Sequence, residues 1–446
     1  MHRKALKKLI EWKASLHRKP LVIRGARQVG KTWLMKEFGK TQYESVAYVN
    51  LDGNVQMKNL FNLDYDIERI IRGLEVATDI KIKKQTTLII LDEIQEVPKA
   101  LSALKYFYEN DPEYHIVVAG SLLGVALHEG TSFPVGKVDF MDLYPLSFIE
   151  FLEATNNYEF AELINDKRFD KELITSFAPK IVDLLKEYFI VGGMPEVVGR
   201  YVQDKDLLSV RSLQKQILEA YEQDFSKHAP SYIVPKLREI WDSVPMQLAK
   251  ENKKFIFSRV REGARAREYE TALLWLEDAG IATKVTRVNK PGLPLKAYEN
   301  RDFFKLFFLD IGLLGAKSDL DSKVILDGSL IFEEFKGALT EQYVFQELQN
   351  MGIHPYYFAR DDSRGEIDFL VHTSNTVIPI EVKAGNNIQT RSLVAYVEKY
   401  HPKIAVRLSL APLNIGELIK NVPLYMVSEI VGFVLELDSN RQTTIF

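Results

Sequence analysis

The sequence predicts an α/β multidomain chain: a parallel sheet around a phosphate-binding loop (P-loop), a helical lid, a winged helix, and a second α/β domain at the C-terminal end. Three observations predict it. The apolar run Leu21-Val22-Ile23 leads into Gly25-Ala26-Arg27-Gln28-Val29-Gly30-Lys31-Thr32, the spacing of a P-loop between a strand and a helix. About sixty residues on, the run Thr87-Leu88-Ile89-Ile90-Leu91 ends in Asp92-Glu93. Far downstream, two alternating stretches carry Asp368 and Glu381-Val382-Lys383. The expected spans are 1–150 for the P-loop domain, 151–235 for the lid, 236–320 for the winged helix and 321–446 for the last domain.

Composition narrows the function classes. The chain has 446 residues and no cysteine, which rules out a disulfide framework, a thiolate metal site and a cysteine nucleophile. That agrees with a reducing cytoplasm, the expected location. The basic N-terminal stretch lacks the long apolar core and cleavage site of a signal peptide. Apolar runs such as Leu306-Phe307-Phe308-Leu309 fall far short of the ~20 residues that span a bilayer, so no membrane partner is expected. A formal net charge of −3 gives no global argument for nucleic acid, and any such surface must be local.

In chain order, residues 2–18 place Leu6, Leu9, Ile10 and Leu16 at helical spacing, a helix beside the P-loop strand. In the P-loop, Gly25 and Gly30 let backbone N–H groups turn toward phosphate oxygens at the positive end of the next helix. Ala26, Arg27, Gln28 and Val29 complete the cradle. Lys31 reaches the β- and γ-phosphates, and the Thr32 hydroxyl ligates Mg²⁺. Val46–Leu51 is a second strand. The third, Thr87–Glu93, is a near-continuous apolar run ending in two carboxylates, as a strand buried on both faces should be. Its carboxyl end brings Asp92 to the Mg²⁺ and Glu93 to the attacking water. A fourth strand, His115–Gly120, delivers Ser121 to the same edge, either as a sensor of the γ-phosphate or as a helix N-cap. Val138–Met141 completes five strands.

Four motifs occur in this order: the P-loop, Leu91-Asp92-Glu93-Ile94-Gln95, Ala119-Gly120-Ser121, and Tyr144-Pro145-Leu146-Ser147-Phe148 with Glu150-Phe151-Leu152. They resemble the AAA-type ATPases of bacteria and archaea. Tyr188-Phe189 with Gly192-Gly193-Met194-Pro195-Glu196 also resembles a sequence recurring in them. The resemblance runs over nearly the whole chain. It implies ATP and Mg²⁺ as cofactors, Walker roles for Lys31, Thr32, Asp92 and Glu93, and a sensor role for Ser121. It also implies a homo-oligomer in which a neighbouring subunit's arginine completes hydrolysis. Arg27, inside the P-loop, is poorly placed to be that arginine.

Residues 145–235 read mainly as helices and announce no chemistry. Beyond them, Ala264–Ala279 is a helix stopped by Gly280, Ile281–Val288 alternates as a strand, Asn289-Lys290-Pro291-Gly292 is a turn, and Leu293–Tyr298 is a second strand. Helices followed by a two-stranded wing describe a winged helix. Lys and Arg outnumber acids here, and Arg259, Arg261, Arg265 and Arg267 cluster at the presumed recognition helix. Two readings stand: contact with DNA phosphates, or an ATPase lid or subunit interface.

In the last domain, Ile331–Met351 reads as a helix, Tyr356–Phe358 as a strand, Asp361–Gly365 as a polar turn, and Glu366–His372 and Thr376–Lys383 as a hairpin about Ser374-Asn375. That register sets Asp368 opposite Glu381. It separates a core face (Ile367, Phe369, Val371, Ile378, Ile380, Val382) from a face gathering Asp368, Glu381 and Lys383. Asp368 and Glu381 then serve as ligands of Mg²⁺ for phosphodiester hydrolysis, and Lys383 positions the water or offsets charge. Glu341, on the inward stripe of its helix, is a third candidate ligand, since an unpaired buried carboxylate is costly. Helix, three strands, Asp, then Glu-x-Lys resembles the restriction-endonuclease-like PD-(D/E)XK fold of Holliday-junction resolvases and many nucleases. Ile367 replaces the motif's proline. Two readings again stand: an active nuclease, or the fold kept as an interaction module with Asp368, Glu381 and Lys383 as a cross-strand salt-bridge set.

Together the motifs lead to an ATP-hydrolysing, oligomeric machine acting on double-stranded or branched DNA. The alternative is a nucleotide-dependent switch that assembles protein partners, its nuclease-like domain non-catalytic.

Overall fold

A computed structural model describes residues 2–120, 134–166, 170–249, 253–327, 333–359, 365–372, 375–385, 390–415 and 418–430. Ser121 and residues 361–364 of the expected polar turn lie outside them, as does Ser374 of the hairpin loop. The chain forms two compact units, Met1–Tyr144 with Asp278–Ile281, and Pro145–Glu277 with Ala282–Phe446. No helix among the described residues is long and apolar enough to cross a membrane.

The first unit follows the order α1 (Ala5–Ala14), β1 (Leu21–Arg24), α2 (Lys31–Gln42), β2 (Ser45–Asn50), α3 (Val55–Leu63), α4 (Ile67–Thr78), β3 (Thr87–Asp92), α5 (Pro98–Asn110), β4 (His115–Ala119) and β5 (Asp139–Asp142). The strands form one parallel sheet in the order β2-β3-β4-β1-β5. Every residue of β3 is buried, as the apolar run Leu88–Leu91 at its centre requires. Val22, Val49, Leu91, Phe61, Phe107 and Val118 share one core on this sheet. The α1 stripe differs from expectation. Leu9 and Trp12 are buried, whereas Leu16 lies past the helix end and is 98% exposed.

The second unit opens with helices α6 (Phe148–Ala154), α7 (Tyr158–Asn165), α8 (Lys171–Val191), α9 (Pro195–Asp204), α10 (Leu207–His228), α11 (Val234–Leu248) and α12 (Ala266–Asp278). Ser147 and Glu150 close a reciprocal capping box at the start of α6. Between α8 and α9, Gly193 accepts the Leu146 N–H at 2.7 Å. A Cβ on Gly193 would lie 2.1 Å from the Leu146 carbonyl oxygen, so only glycine fits this crossing.

There follow β6 (Ala282–Val288), β7 (Glu299–Phe308), α13 (Ile311–Lys317), α14 (Ser322–Asp327), α15 (Glu333–Asn350), β8 (Tyr356–Ala359), β9 (Glu366–His372), β10 (Val377–Val382), α16 (Arg391–Tyr400), β11 (Ala405–Ser409) and β12 (Ile419–Pro423). All seven strands join one mixed sheet in the order β12-β11-β10-β9-β8-β6-β7. The expected wing is therefore corrected. Its second strand is not Leu293–Tyr298, most of which forms a 3₁₀ turn after Pro294, but Glu299–Phe308. Nor is the strand pair free-standing: β6 also pairs in parallel with β8.

The β9–β10 hairpin has the expected register, with His372 opposite Val377 and Phe369 opposite Ile380. All six expected core residues are buried. Thr340, Glu341, Gln342, Gln346, Glu347 and Gln349 of α15 are buried as well. Gln342 exchanges two hydrogen bonds with the Phe308 backbone at 2.7 and 2.8 Å, and Glu347 accepts the Phe148 N–H at 2.8 Å.

Candidate functional site

β1 ends at the P-loop and α2 begins with its lysine. Gly30 caps α2 at φ 92°, a left-handed conformation open to glycine at no cost. A Cβ on Gly25 would meet the Leu143 carbonyl oxygen at 2.3 Å. Lys31 is 8% exposed, and its ammonium donates to the carbonyls of Gly25 at 3.0 Å and Ala26 at 2.8 Å. Burial, assisted by Arg27 and opposed by Glu93 and Asp92, brings Lys31 down to about 8.

β3 delivers the acids to the same sheet edge. The Thr32 hydroxyl donates to Asp92 Oδ2 at 2.7 Å and the Tyr48 hydroxyl to the same oxygen at 3.2 Å. Burial, then the charge of Asp92, pushes Tyr48 up to about 12. Glu93 turns into the left-handed region (φ 53°), and Gln95 donates to its carboxylate at 2.5 Å. A non-glycine residue held there is strained backbone of the kind functional sites keep. The structure brings together Gly25, Ala26, Gly30, Lys31, Thr32, Asp92 and Glu93. It adds Tyr48 and Gln95, which sequence reasoning missed although Gln95 stood beside Glu93. A hydroxyl and a carboxylate 2.7 Å apart beside a buried ammonium are the hard oxygen donors and the charge that Mg²⁺ and phosphate call for.

The second candidate site is a cluster of charges at α15, β9 and β10. Glu341 is 5% exposed, and the Asp368 side chain 15% exposed. Asp368 Oδ2 accepts the Val382 N–H at 2.8 Å, and Lys383 pairs with Glu381 Oε1 at 2.8 Å. Two lysines, neither anticipated, enter this cluster. Lys253 pairs with Glu341. Lys305 of β7, fully buried, lies 2.5 Å from Glu366, 3.4 Å from Glu341 and 3.8 Å from Asp368. The sequence offered Glu341 a metal as the reason for its burial; the structure gives it two ammonium partners.

These contacts set the protonation states. Burial works to lower Lys305, and Glu341, Glu366 and Asp368 override it, keeping the ammonium charged. Burial works to raise Glu341, and Lys253 and Lys305 override it, holding that carboxyl below the usual range. Asp368 goes the other way: burial, then Glu341 and Glu381, push it well above the usual range. Among the described residues no group of three or more His, Asp or Glu is arranged to hold a metal ion.

Comparison with known proteins places residues 182–324 in a family described as a domain of unknown function (DUF8612), and residues 336–427 in another (DUF4143). No curated protein matches the chain. Among solved structures it is similar to the Walker-type ATPase of Pyrococcus abyssi, at 12% identity and a TM-score of 0.44, over 71% of this chain and 95% of that one. It is also similar to the Aeropyrum pernix ORC1 protein in complex with DNA, at 13% identity, a TM-score of 0.28, and 71% and 92% coverage. A third is AMPPCP-bound DnaA from Aquifex aeolicus, at 14% identity, a TM-score of 0.27, and 61% and 85% coverage. Residues 17–152 match the family described as AAA domain, so the segment that carries the P-loop, Asp92 and Glu93 is an AAA domain.

Proposed function

We propose that this chain is an ATP hydrolase of the AAA type that acts on DNA as a homo-oligomer. The observation that carries the ATP hydrolase reading is the Thr32–Asp92 contact at 2.7 Å beside the buried ammonium of Lys31. On ATP binding Lys31 leaves the Gly25 and Ala26 carbonyls for the β- and γ-phosphates. Thr32 and Asp92 would hold Mg²⁺, which would neutralise charge developing on the phosphates. Glu93, steadied by Gln95, accepts the proton of the water that attacks the γ-phosphate. Ser121 serves as sensor, and a neighbouring subunit supplies the arginine that completes the site.

The DNA reading draws on Arg259, Arg261, Arg265 and Arg267, all exposed next to or at the start of α12. It draws also on the order α15, β8, β9, β10, α16, β11, with antiparallel pairs followed by a parallel one, which suits a restriction-endonuclease-like domain. In such a domain Glu341, Asp368 and Glu381 would be the Mg²⁺ ligands and Lys383 would assist, but in this chain Lys253 and Lys305 stand among them. A second reading, an assembly switch whose nuclease-like domain is non-catalytic, is favoured by the lysines among those carboxylates.

One set of assays separates them: ATP turnover with and without branched or linear DNA, and cleavage with Mg²⁺ or Mn²⁺ by wild type and Asp368→Ala. The DNA reading expects stimulated turnover, and binding that weakens when the four arginines become alanine. Absence of DNA binding by wild type at low salt contradicts it. The switch reading expects Asp368→Ala to leave every activity intact.

A further inference from the structure

The nuclease-like cluster holds four carboxyl groups, Glu341, Glu366, Asp368 and Glu381. Three of them surround a single ammonium. Lys305 Nζ lies within 4 Å of Glu341, Glu366 and Asp368, with its side chain fully out of water. It projects from β7, at the far edge of the sheet from β12, and its ammonium also lies 5.2 Å from the centre of the Tyr357 ring of β8. Lys253, in the loop after α11, reaches the other oxygen of Glu341. Neither lysine belongs to the α15–β11 segment that supplies the acids. Glu381, 5% exposed, keeps its Oε2 buried without a hydrogen-bond partner.

We propose that Lys305, assisted by Lys253, is the resident cation of this cluster and excludes a divalent metal from it. The inference rests on the restriction-endonuclease-like reading for what the carboxylates otherwise take. Its basis is electrostatic. Attraction between an ammonium and carboxylates at these separations is strong because little water screens it. A divalent ion ligated by Glu341 and Asp368 would share both with Lys305 and meet a like charge at close range. Removing one partner of a buried ion pair leaves an uncompensated charge. Loss of the Lys305 ammonium therefore creates a demand for a cation that Mn²⁺ or Mg²⁺ can meet, with Glu381 Oε2 as a spare donor.

The test is Mn²⁺ binding to the full chain without nucleotide, followed by the electron paramagnetic resonance of free Mn²⁺. Wild type is expected to show no site at the cluster. Lys305→Met is expected to gain one, at least tenfold tighter than any wild-type binding and lost again when Asp368→Asn is added. If Lys305→Met does not fold in metal-free buffer, Lys305→Gln, whose neutral amide can still hydrogen-bond the carboxylates, takes its place with the same expectation. Mn²⁺ bound by wild type and released by Asp368→Asn would overturn the proposal, as would a folded lysine variant that gains no site. A variant that gains Mn²⁺ but cleaves no DNA leaves this inference standing and removes the nuclease reading.

Discussion

Lys31 shows how one residue carries both the identity of the site and a measurable signature. Its place in Gly-x-x-x-x-Gly-Lys-Thr was legible because the chemistry is local: loop, lysine and hydroxyl are contiguous in sequence. Its titration depends on burial and on Asp92 and Glu93, which the fold alone brings near. The ordinary value of 10.5 falls to about 8 in the folded chain, so the folded state binds fewer protons than the unfolded state between those limits. Stability therefore rises with pH through that window, and at pH 7 the charged lysine costs on the order of 3 kcal/mol. Phosphate oxygens favour the charged form and restore the proton. ATP binding at pH 9 should thus take up about one proton and at pH 7 almost none. Calorimetry in two buffers of different ionisation enthalpy reads this directly, and a buffer-independent heat at pH 9 would contradict it. Lys253 and Lys305 were not legible at all. Each lies far in sequence from the acids it pairs with, and a lysine on a strand reads as a solvated face until the strand's neighbours are known.

At the scale of elements, the β9–β10 hairpin was read correctly because strict alternation admits one register, and a slip by one residue would turn its core face to water. The β6–β7 pair was misread at its start. Pro294 cannot donate to a ladder, so the chain turns through Leu295–Tyr298 before pairing begins at Glu299. Sheet membership was hidden for a different reason. Local alternation says that a strand exists, and nothing in 282–308 says that β6 pairs with β8, which lies about seventy residues on. The α8–α9 crossing gives this scale its own prediction. Gly193→Ala drives a Cβ into backbone at 2.1 Å and should lower stability by about 2–4 kcal/mol. Gly199→Ala, inside α9 with nothing near the new Cβ, should be neutral or stabilise by up to about 1 kcal/mol. Thermal unfolding of the full chain compares the two. Equal effects would mean that the close contact of Gly193 with Leu146 does not matter.

For the whole molecule, the AAA domain and the seven-stranded sheet carry separate polar sites, and the two differ in how they hold charge. At the P-loop the lysine rests on neutral carbonyls and is free to move to a phosphate. In the C-terminal cluster the lysines rest on carboxylates and stay. The first arrangement suits a site that exchanges ligands and the second a site that is already filled. The reaction proposed for the P-loop is hydrolysis of ATP with Glu93 as general base. The most direct measurement is ATP turnover and nucleotide binding by wild type, Lys31→Ala and Glu93→Gln. Wild type should turn over ATP, and Lys31→Ala should lose binding. Glu93→Gln should retain binding, with turnover slowed roughly 10²–10⁴-fold. Turnover by Glu93→Gln at the wild-type rate would contradict the general-base role.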